Sequence, residues 1–415
     1  MAKPSDDNPL AGCKLQGLKY LDQLLPLFER LHDVGCQRDR AGNRNLHFDH
    51  YCALILLALL NPALRSLRAL QQASLLDQVR RKVGCPRTSL GSLSEAVEIF
   101  DPQRIEPIIT ELWDQLPPSR GAGIEYVRRV LTAVDGSVVK TLASLAEAAY
   151  LRDRNGETHC GWRFHTHFEI DRQLPVRIEV TTALNGGKTD EKQVLRRSLQ
   201  ADRCYVLDRW YAEFVLWNDI VAAGSSYVCR IRDNSNLDAV VEERPLSPAA
   251  REAGVLRDIV VELGTSHKAG SRPDHAVRVI LVQGEPHRKR GGRKGDTAGA
   301  PSDGILRIAT DLLDVPAEII ANIYKHRWSV ELFFRFFKHV LGCRHLFSTH
   351  PAGIQIQAYC AIIACLLIQL WTGGKPTLRT FEMLCLYLQG WATLDELIAH
   401  IEKLKTRTRD PTAGG

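Results

Sequence analysis

At 415 residues, with 45% hydrophobic and 25% charged residues, the chain is long enough to build two or three cores, and its composition excludes disordered, collagenous and fibrous classes. Lys and Arg number 54 against 48 Asp and Glu, a net charge of +6 that permits a polyanionic partner without requiring one. Eleven cysteines with no Cys-x-x-Cys pair argue against a disulfide framework or a zinc ribbon, and for a reducing cytoplasm.

The first residues, MAKPSDDNPLAGCK, carry no apolar run behind the lysine, so no signal peptide is expected. Two apolar stretches invite a test as membrane spans. Tyr51–Leu60 is too short, and Ile354–Trp371 carries Gln355, Gln357 and Gln369, so both are predicted to be buried helices with no membrane contact. From Leu15 to about Leu116 apolar residues recur at three and four between Gly, Pro and polar breaks, an all-helical pattern. Short β-branched runs then predict strands at Val130–Val134, Trp162–Ile170, Val176–Thr182 and Tyr205–Leu207, with helices at Lys188–Leu199 and Ala212–Ala222. Trp162, Phe164, Thr166, Phe168 and Ile170 alternate with Arg163, His165, His167 and Glu169, which predicts a strand buried on one face. YVCRIR, RDIVVEL and AVRVILV read as a β-rich insertion between Ser226 and Asp303, followed by a strand at Ile305–Ala309. Pro316 opens a predicted long helix running to about Leu341, and the remainder is helical.

That long helix is the most informative segment. At about 100° per residue, Tyr324, Arg327, Glu331, Arg335 and Lys338 share a stripe roughly 80° wide, while Leu332, Phe333, Phe334, Phe336 and Phe337 share the opposite face. A charged stripe alone commonly meets only water. Two aspartates change its meaning: Asp135 is read as ending the first strand in LTAVDGSVVK, and Asp208 the fourth in CYVLDRWYAEF. In a ribonuclease-H-like sheet strands one and four are adjacent, which brings both aspartates toward a glutamate on a later helix. Three carboxylates in one pocket need a counter-charge, and oxygen donors without Cys or His favour Mg²⁺, with Mn²⁺ as a substitute.

Other clusters are weighed beside these. Residues 63–87 hold Arg65, Arg68, Arg80, Arg81, Lys82 and Arg87 against Asp77 alone, a basic helix pair suited to phosphates. His287, Arg288, Lys289, Arg290, Arg293 and Lys294 form a denser basic run. Cys160, His165 and His167 lack a fourth ligand for zinc, and Thr182 stands where a phosphate-binding loop ending at Lys188 and Thr189 would need its first glycine. No Gly-x-Ser-x-Gly elbow supports a serine nucleophile.

Tyr324, Arg327, Glu331 and Lys338 spell Tyr-x2-Arg-x3-Glu-x6-Lys, which resembles the signature of cut-and-paste DDE transposases of bacterial insertion sequences, in the insertion-sequence-four branch. The resemblance runs with motif support from about Val130 to Lys338. It implies an α/β fold: a ribonuclease-H-like mixed-sheet catalytic core at 121–225 and 304–373, interrupted by a β-rich insertion at 226–303. A helical DNA-binding region, 1–120, and a helical C-terminal region for dimerisation, 374–415, flank that core. It further implies that Asp135, Asp208 and Glu331 hold two divalent metals and that Tyr324, Arg327, Trp328, Arg335 and Lys338 contact DNA near the transposon end. Arg80, Arg81 and Lys82 complete the expected DNA surface. The expected partners are double-stranded DNA, as terminal inverted repeats and as target, and a second copy of the chain in a homodimer, in the bacterial cytoplasm at the nucleoid. Members of the branch that excise through a DNA hairpin stack a flipped base on a tryptophan in the insertion; residues 218–327 contain none, and Trp328 is the candidate instead. Two rivals stay open: a structure-specific nuclease of the same fold, and a DNA-binding protein without catalysis.

Overall fold

The N-terminal third winds where apolar residues recur at three and four and stops at polar punctuation. The computed structural model describes residues 26–34, 38–40, 42–116, 126–141, 149–152, 158–183, 187–264, 271–284, 303–343 and 345–409. Its first helices are α1 (Phe48–Leu59), α2 (Leu67–Ser74), α3 (Asp77–Val83), α4 (Leu90–Ile99) and α5 (Glu106–Asp114). Ser66 starts α2 by accepting the Ala69 N–H, Ser89 starts α4 by accepting the Ser92 N–H, and Gly84 ends α3 at φ 69°, where a side chain would be strained. There follow β1 (Val130–Thr141), β2 (Ala149–Arg152), β3 (Thr158–Glu169), β4 (Leu174–Thr182), α6 (Glu191–Arg197), β5 (Arg203–Leu207), α7 (Phe214–Ala222) and β6 (Ser226–Arg230). Then come β7 (Val240–Glu243), β8 (Val255–Val261), β9 (Val277–Gln283), β10 (Ile305–Thr310), α8 (Ala317–Lys325) and α9 (Trp328–Arg335). A π turn at Phe336–Val340 leads to α10 (Pro351–Thr372), α11 (Leu378–Leu388) and α12 (Leu394–Arg409).

The chain forms two compact units, one of residues 1–117 with 335–415 and one of residues 118–334. Residues 335–373, which the sequence groups with the sheet, thus cluster with the helices. In the helical unit, α10 is the helix among the described residues that is long and apolar enough to cross a membrane, and most of it is buried against α1, α4 and α5. Its buried amide Gln357 is satisfied, accepting from the Phe347 N–H at 3.1 Å and donating to the His345 carbonyl at 3.0 Å. A core helix can hold such a glutamine because it finds partners inside the fold.

The other unit is built on one ten-stranded sheet, in the order β2-β3-β1-β5-β6-β10-β9-β8-β7, with β4 also on β3. β1 pairs antiparallel with β3, and parallel with β5, which in turn pairs parallel with β6. The stretch read as an insertion supplies β6 to β9 to this same sheet, since β9 is hydrogen-bonded to β10 and β10 to β6. β3 departs from the expected half-buried strand: from Gly161 to Ile170 only Arg163 is not buried. Its histidines can be buried because each has a partner, His165 Nε2 lying 2.8 Å from Thr181 Oγ1 and His167 Nε2 3.2 Å from Ser198 Oγ. Burial, with nearby arginines adding to it, pulls both imidazoles down to about 3, so they are neutral groups inside the core.

The predicted single helix from Pro316 to Leu341 is three pieces. The Arg327, Ser329 and Val330 N–H groups bond to the carbonyls three residues back, at 3.1, 3.0 and 3.3 Å, which tightens the turn between α8 and α9. A uniform wheel does not survive that turn or the π turn beyond it. Hence Phe337, 1% exposed, is the fully buried ring, Phe336 is only half-buried, and Leu332 is 44% exposed.

Candidate active site

Asp135 does not end its strand as expected: β1 runs on to Thr141, and Asp135 sits mid-strand opposite Thr166 of β3. Its Oδ1 accepts the Gly136 N–H at 2.9 Å. Asp208 follows β5 directly and caps the single turn Arg209–Tyr211, its Oδ1 accepting the Trp210 N–H at 2.8 Å. Ladder register relates the two. Ala133 pairs with Val206 in the parallel β1–β5 ladder, so two residues further along each strand Asp135 and Asp208 stand at the same level and on the same face.

Glu331 comes from the first turn of α9, where its Oε1 accepts from Arg327 Nη2 at 2.6 Å. Burial pushes the Asp135 carboxyl up to about 6; the Arg327 charge opposes this, while Asp208 and Glu331 add to it. Asp135 therefore feels the charges of Arg327, Asp208 and Glu331. Tyr324 lies in the last turn of α8, its phenol pushed up to about 12 by burial, with Arg327, Cys229, Arg230 and Asp208 as lesser influences. Trp328 is 52% exposed at the start of α9.

Three further side chains, Glu191, Arg163 and Tyr211, cluster beside Asp135 without having been singled out as site residues in the sequence. Glu191, the first residue of α6, presses its carboxylate against Gly136, where a Cβ would stand 2.7 Å from Glu191 Cδ. Arg163 of β3 is ion-paired to that carboxylate, and the Tyr211 hydroxyl donates to it at 3.1 Å. Burial, then the charges of Asp135 and Asp208, hold the Tyr211 phenol well above its ordinary value. The available signals were the Asp190–Glu191 helix start and the tyrosine three residues beyond Asp208; neither is specific alone. A Cβ at Gly136 would push the Glu191 carboxylate off its contacts with Arg163 and Tyr211, which favours the glycine of VDGS.

Asp135, Asp208, Glu331, Tyr324, Arg327 and Trp328 thus lie in one compact unit. Arg335, exposed, and Lys338, half-buried on the π turn, belong to the helical unit, as do Arg80, Arg81 and Lys82 of α3. Arg80 Nη1 lies 3.4 Å from Asp77 Oδ1, and Arg81 is exposed. The basic run from His287 to Lys294, and Cys160 as a side chain, lie outside the described residues. Asp135, Asp208 and Glu331 offer only oxygen donors, and a carboxyl already driven up to about 6 by burial and by like charges is one that a hard divalent cation would relieve.

A family profile described as a transposase DDE domain matches residues 127–367. Among curated proteins, y4zB of Sinorhizobium fredii, named as a transposase, is 25% identical over 222 residues, 51% of this chain and 56% of that protein. The protein named as the transposase of insertion sequence element IS5377, from Geobacillus stearothermophilus, is 27% identical over 209 residues, 50% of this chain and 49% of its own length. The chain spans about half the length of these curated relatives. A solved piggyBac transposase synaptic complex with hairpin DNA aligns over 96% of this chain and 81% of that one, at 11% identity and a TM-score of 0.38, a likeness too distant to bear on the fold.

Proposed function

Because the chain belongs to the family of transposase DDE domains, in its insertion-sequence-four branch, we propose that it is a DNA transposase that binds insertion-sequence ends and carries out metal-dependent cleavage and strand transfer. The observation that carries this reading is the level pairing of Asp135 with Asp208 across the β1–β5 ladder, beside Glu331 and Arg327. The order β4-β3-β1-β5-β6, antiparallel through its first three strands and parallel through its last three, supports a ribonuclease-H-like core.

In this reading Asp135, Asp208 and Glu331 hold Mg²⁺ or Mn²⁺, which when bound supplies positive charge to activate the attacking oxygen and stabilise the leaving one. In the first step a water oxygen bonds to phosphorus and the bond to the 3′ oxygen breaks, leaving a 3′-hydroxyl and a 5′-phosphate. That hydroxyl then bonds to a phosphorus of the opposite strand or of target DNA, displacing the 3′ oxygen there. Arg327 holds the Glu331 carboxylate in place and, with Tyr324, meets a phosphate oxygen near the scissile bond. Trp328 offers an exposed ring to an unstacked base, and Arg335 and Lys338 extend the phosphate contacts. A homodimer on paired ends completes the proposal. Incubation with linear DNA bearing the element's inverted repeats and Mg²⁺ tests it: cuts at the repeat ends and joined products support it, whereas cutting confined to branched DNA makes the chain a nuclease.

The raised Asp135 carboxyl gives a pH dependence. In the folded, cation-free chain this group holds its proton between its ordinary 3.8 and about 6, and a cation must displace that proton. Apparent Mn²⁺ affinity is expected to fall about tenfold per pH unit below that value and to level off above it. The same shift stabilises the fold below the ordinary carboxyl value, and that stability is lost as pH rises through about 6. Manganese titrations across this range decide it, and a flat affinity would remove Asp135 from the cation site.

A second expectation concerns α3. Replacing Arg80, Arg81 and Lys82 together with alanine should lower the log–log salt slope of end binding by about 0.9 for each phosphate that the helix no longer neutralises. Binding measured against salt concentration checks this, and an unchanged slope places end binding elsewhere in the chain.

A further inference from the structure

The helical unit holds a second group of metal-ligating side chains, remote in sequence from the carboxylates. His32 lies in the helical turn Leu31–Val34, and Asp49 and His50 in the first turn of α1. His32 Nδ1 is 3.0 Å from Asp49 Oδ2, and His50 Nε2 is 3.7 Å from the same oxygen. One donor atom from each of the three lies within 4.8 Å of the other two. Around a tetrahedral zinc with bonds of about 2.0–2.1 Å, neighbouring donors stand about 3.3 Å apart, a spacing that the two observed distances bracket.

An ordinary ion pair accounts for less of this arrangement. A single carboxylate oxygen serves two imidazoles, while the other, Asp49 Oδ1, is buried and has no hydrogen-bond partner among the described residues. Buried carboxylate oxygens are rarely left so. The His47 ring stacks on that of His32 at 3.7 Å between centroids and 8° between planes, and its Nδ1 lies 3.2 Å from the His32 carbonyl oxygen. The stack restricts rotation of the His32 ring. The His47 N–H also reaches His50 Nδ1, at 3.4 Å, and this long contact is the one that a cation on Nε2 would release. His32, His47 and His50 line a cleft of about 800 Å³ that is also lined by Asp77, Arg80, Arg81 and Cys85.

We propose that His32, Asp49 and His50 bind one zinc ion, at a site separate from the catalytic carboxylates. Two imidazoles and one carboxylate suit a borderline cation and disfavour Mg²⁺. Three protein donors leave a position for water. Bound there, the ion would tie the turn at 31–34 to α1 and fix one wall of the cleft beside Arg80 and Arg81.

The test uses the full chain, stripped with chelator and then equilibrated with zinc in a large excess of Mg²⁺. After gel filtration, elemental analysis should find one equivalent of zinc, and zinc should raise the melting temperature. Asp135→Ala should retain that equivalent. His32→Ala with His50→Ala should lose both the zinc and its effect on melting, and Asp49→Asn should weaken binding at least about tenfold. Each variant is also melted in chelator beside the wild type, so that loss of the zinc-dependent rise in melting temperature is read apart from loss of the fold itself. Zinc absent from the wild type, zinc retained by the double variant, or zinc lost with Asp135→Ala would each overturn the proposal.

Discussion

Alanine in place of Asp135, Asp208 or Glu331 should lower Mg²⁺-dependent cleavage of the end DNA by about 10³-fold or more, the scale of losing one preorganised charge from a polar transition state. End binding through α3 should remain, because that helix belongs to the other compact unit. Stability should separate catalysis from folding most clearly at Asp135. A carboxyl that burial raises to about 6 is ionised at neutral pH against its environment, so removing it should leave the cation-free melting temperature unchanged or higher. A cleavage assay and a thermal melt on each variant settle the point. Should any of the three cut within about tenfold of the wild type, the assignment of the carboxylates fails.

The largest loss of stability is expected at Arg278. This residue of β9 is 3% exposed and pairs in bidentate fashion with Asp258 of β8, Nε to Oδ1 at 2.8 Å and Nη2 to Oδ2 at 2.6 Å. Its Nη1 donates to the carbonyls of Leu312 and Leu313, each at 3.1 Å, and of Val315. Those carbonyls lead into α8, so one guanidinium fastens the strand pair to the segment from which Tyr324, Arg327 and Glu331 follow. Arg278→Met leaves Asp258 buried and unpaired, which costs about 3–5 kcal/mol. For a unit of this size that is a fall of roughly 6–20 °C in melting temperature. Combining it with Asp258→Leu should recover much of the loss, since an apolar pair of similar volume no longer strands a charge. A single variant that melts with the wild type would mean that the pair contributes little.

The parts of the site legible in the sequence were those set by short-range chemistry. Asp208 after an apolar run, Glu331 four residues from Arg327, and the strand that carries Asp135 all stand where pattern placed them. What pattern misread came from long-range context. β1 runs past Asp135 because β3 supplies a partner for every residue to Thr141, and no local signal announces that pairing. Both faces of β3 are buried because Thr181 and Ser198, distant in sequence, each give one of its histidines a hydrogen-bonding partner. The long helix looked continuous because it contains neither Pro nor Gly across its break; that turn is tightened by backbone bonding alone. Glu191 and Arg163 were invisible for a similar reason, since 28 residues separate an ion pair that only the folded sheet brings together.

The level pairing of Asp135 and Asp208 also makes the site sensitive to deletions in an uneven way. Both carboxylates lie two residues past the Ala133–Val206 pair, and neighbouring side chains on a strand point to opposite faces. Loss of one codon between Val206 and Asp208 would turn the second carboxylate away from the first while leaving most of the sheet intact. Loss of one codon in the largely exposed stretch at 233–236, between β6 and β7, changes mainly the length of a loop, at small entropic cost. A deletion scan of this gene should therefore show narrow windows where folding survives and transposition does not, set beside stretches that shorten without consequence.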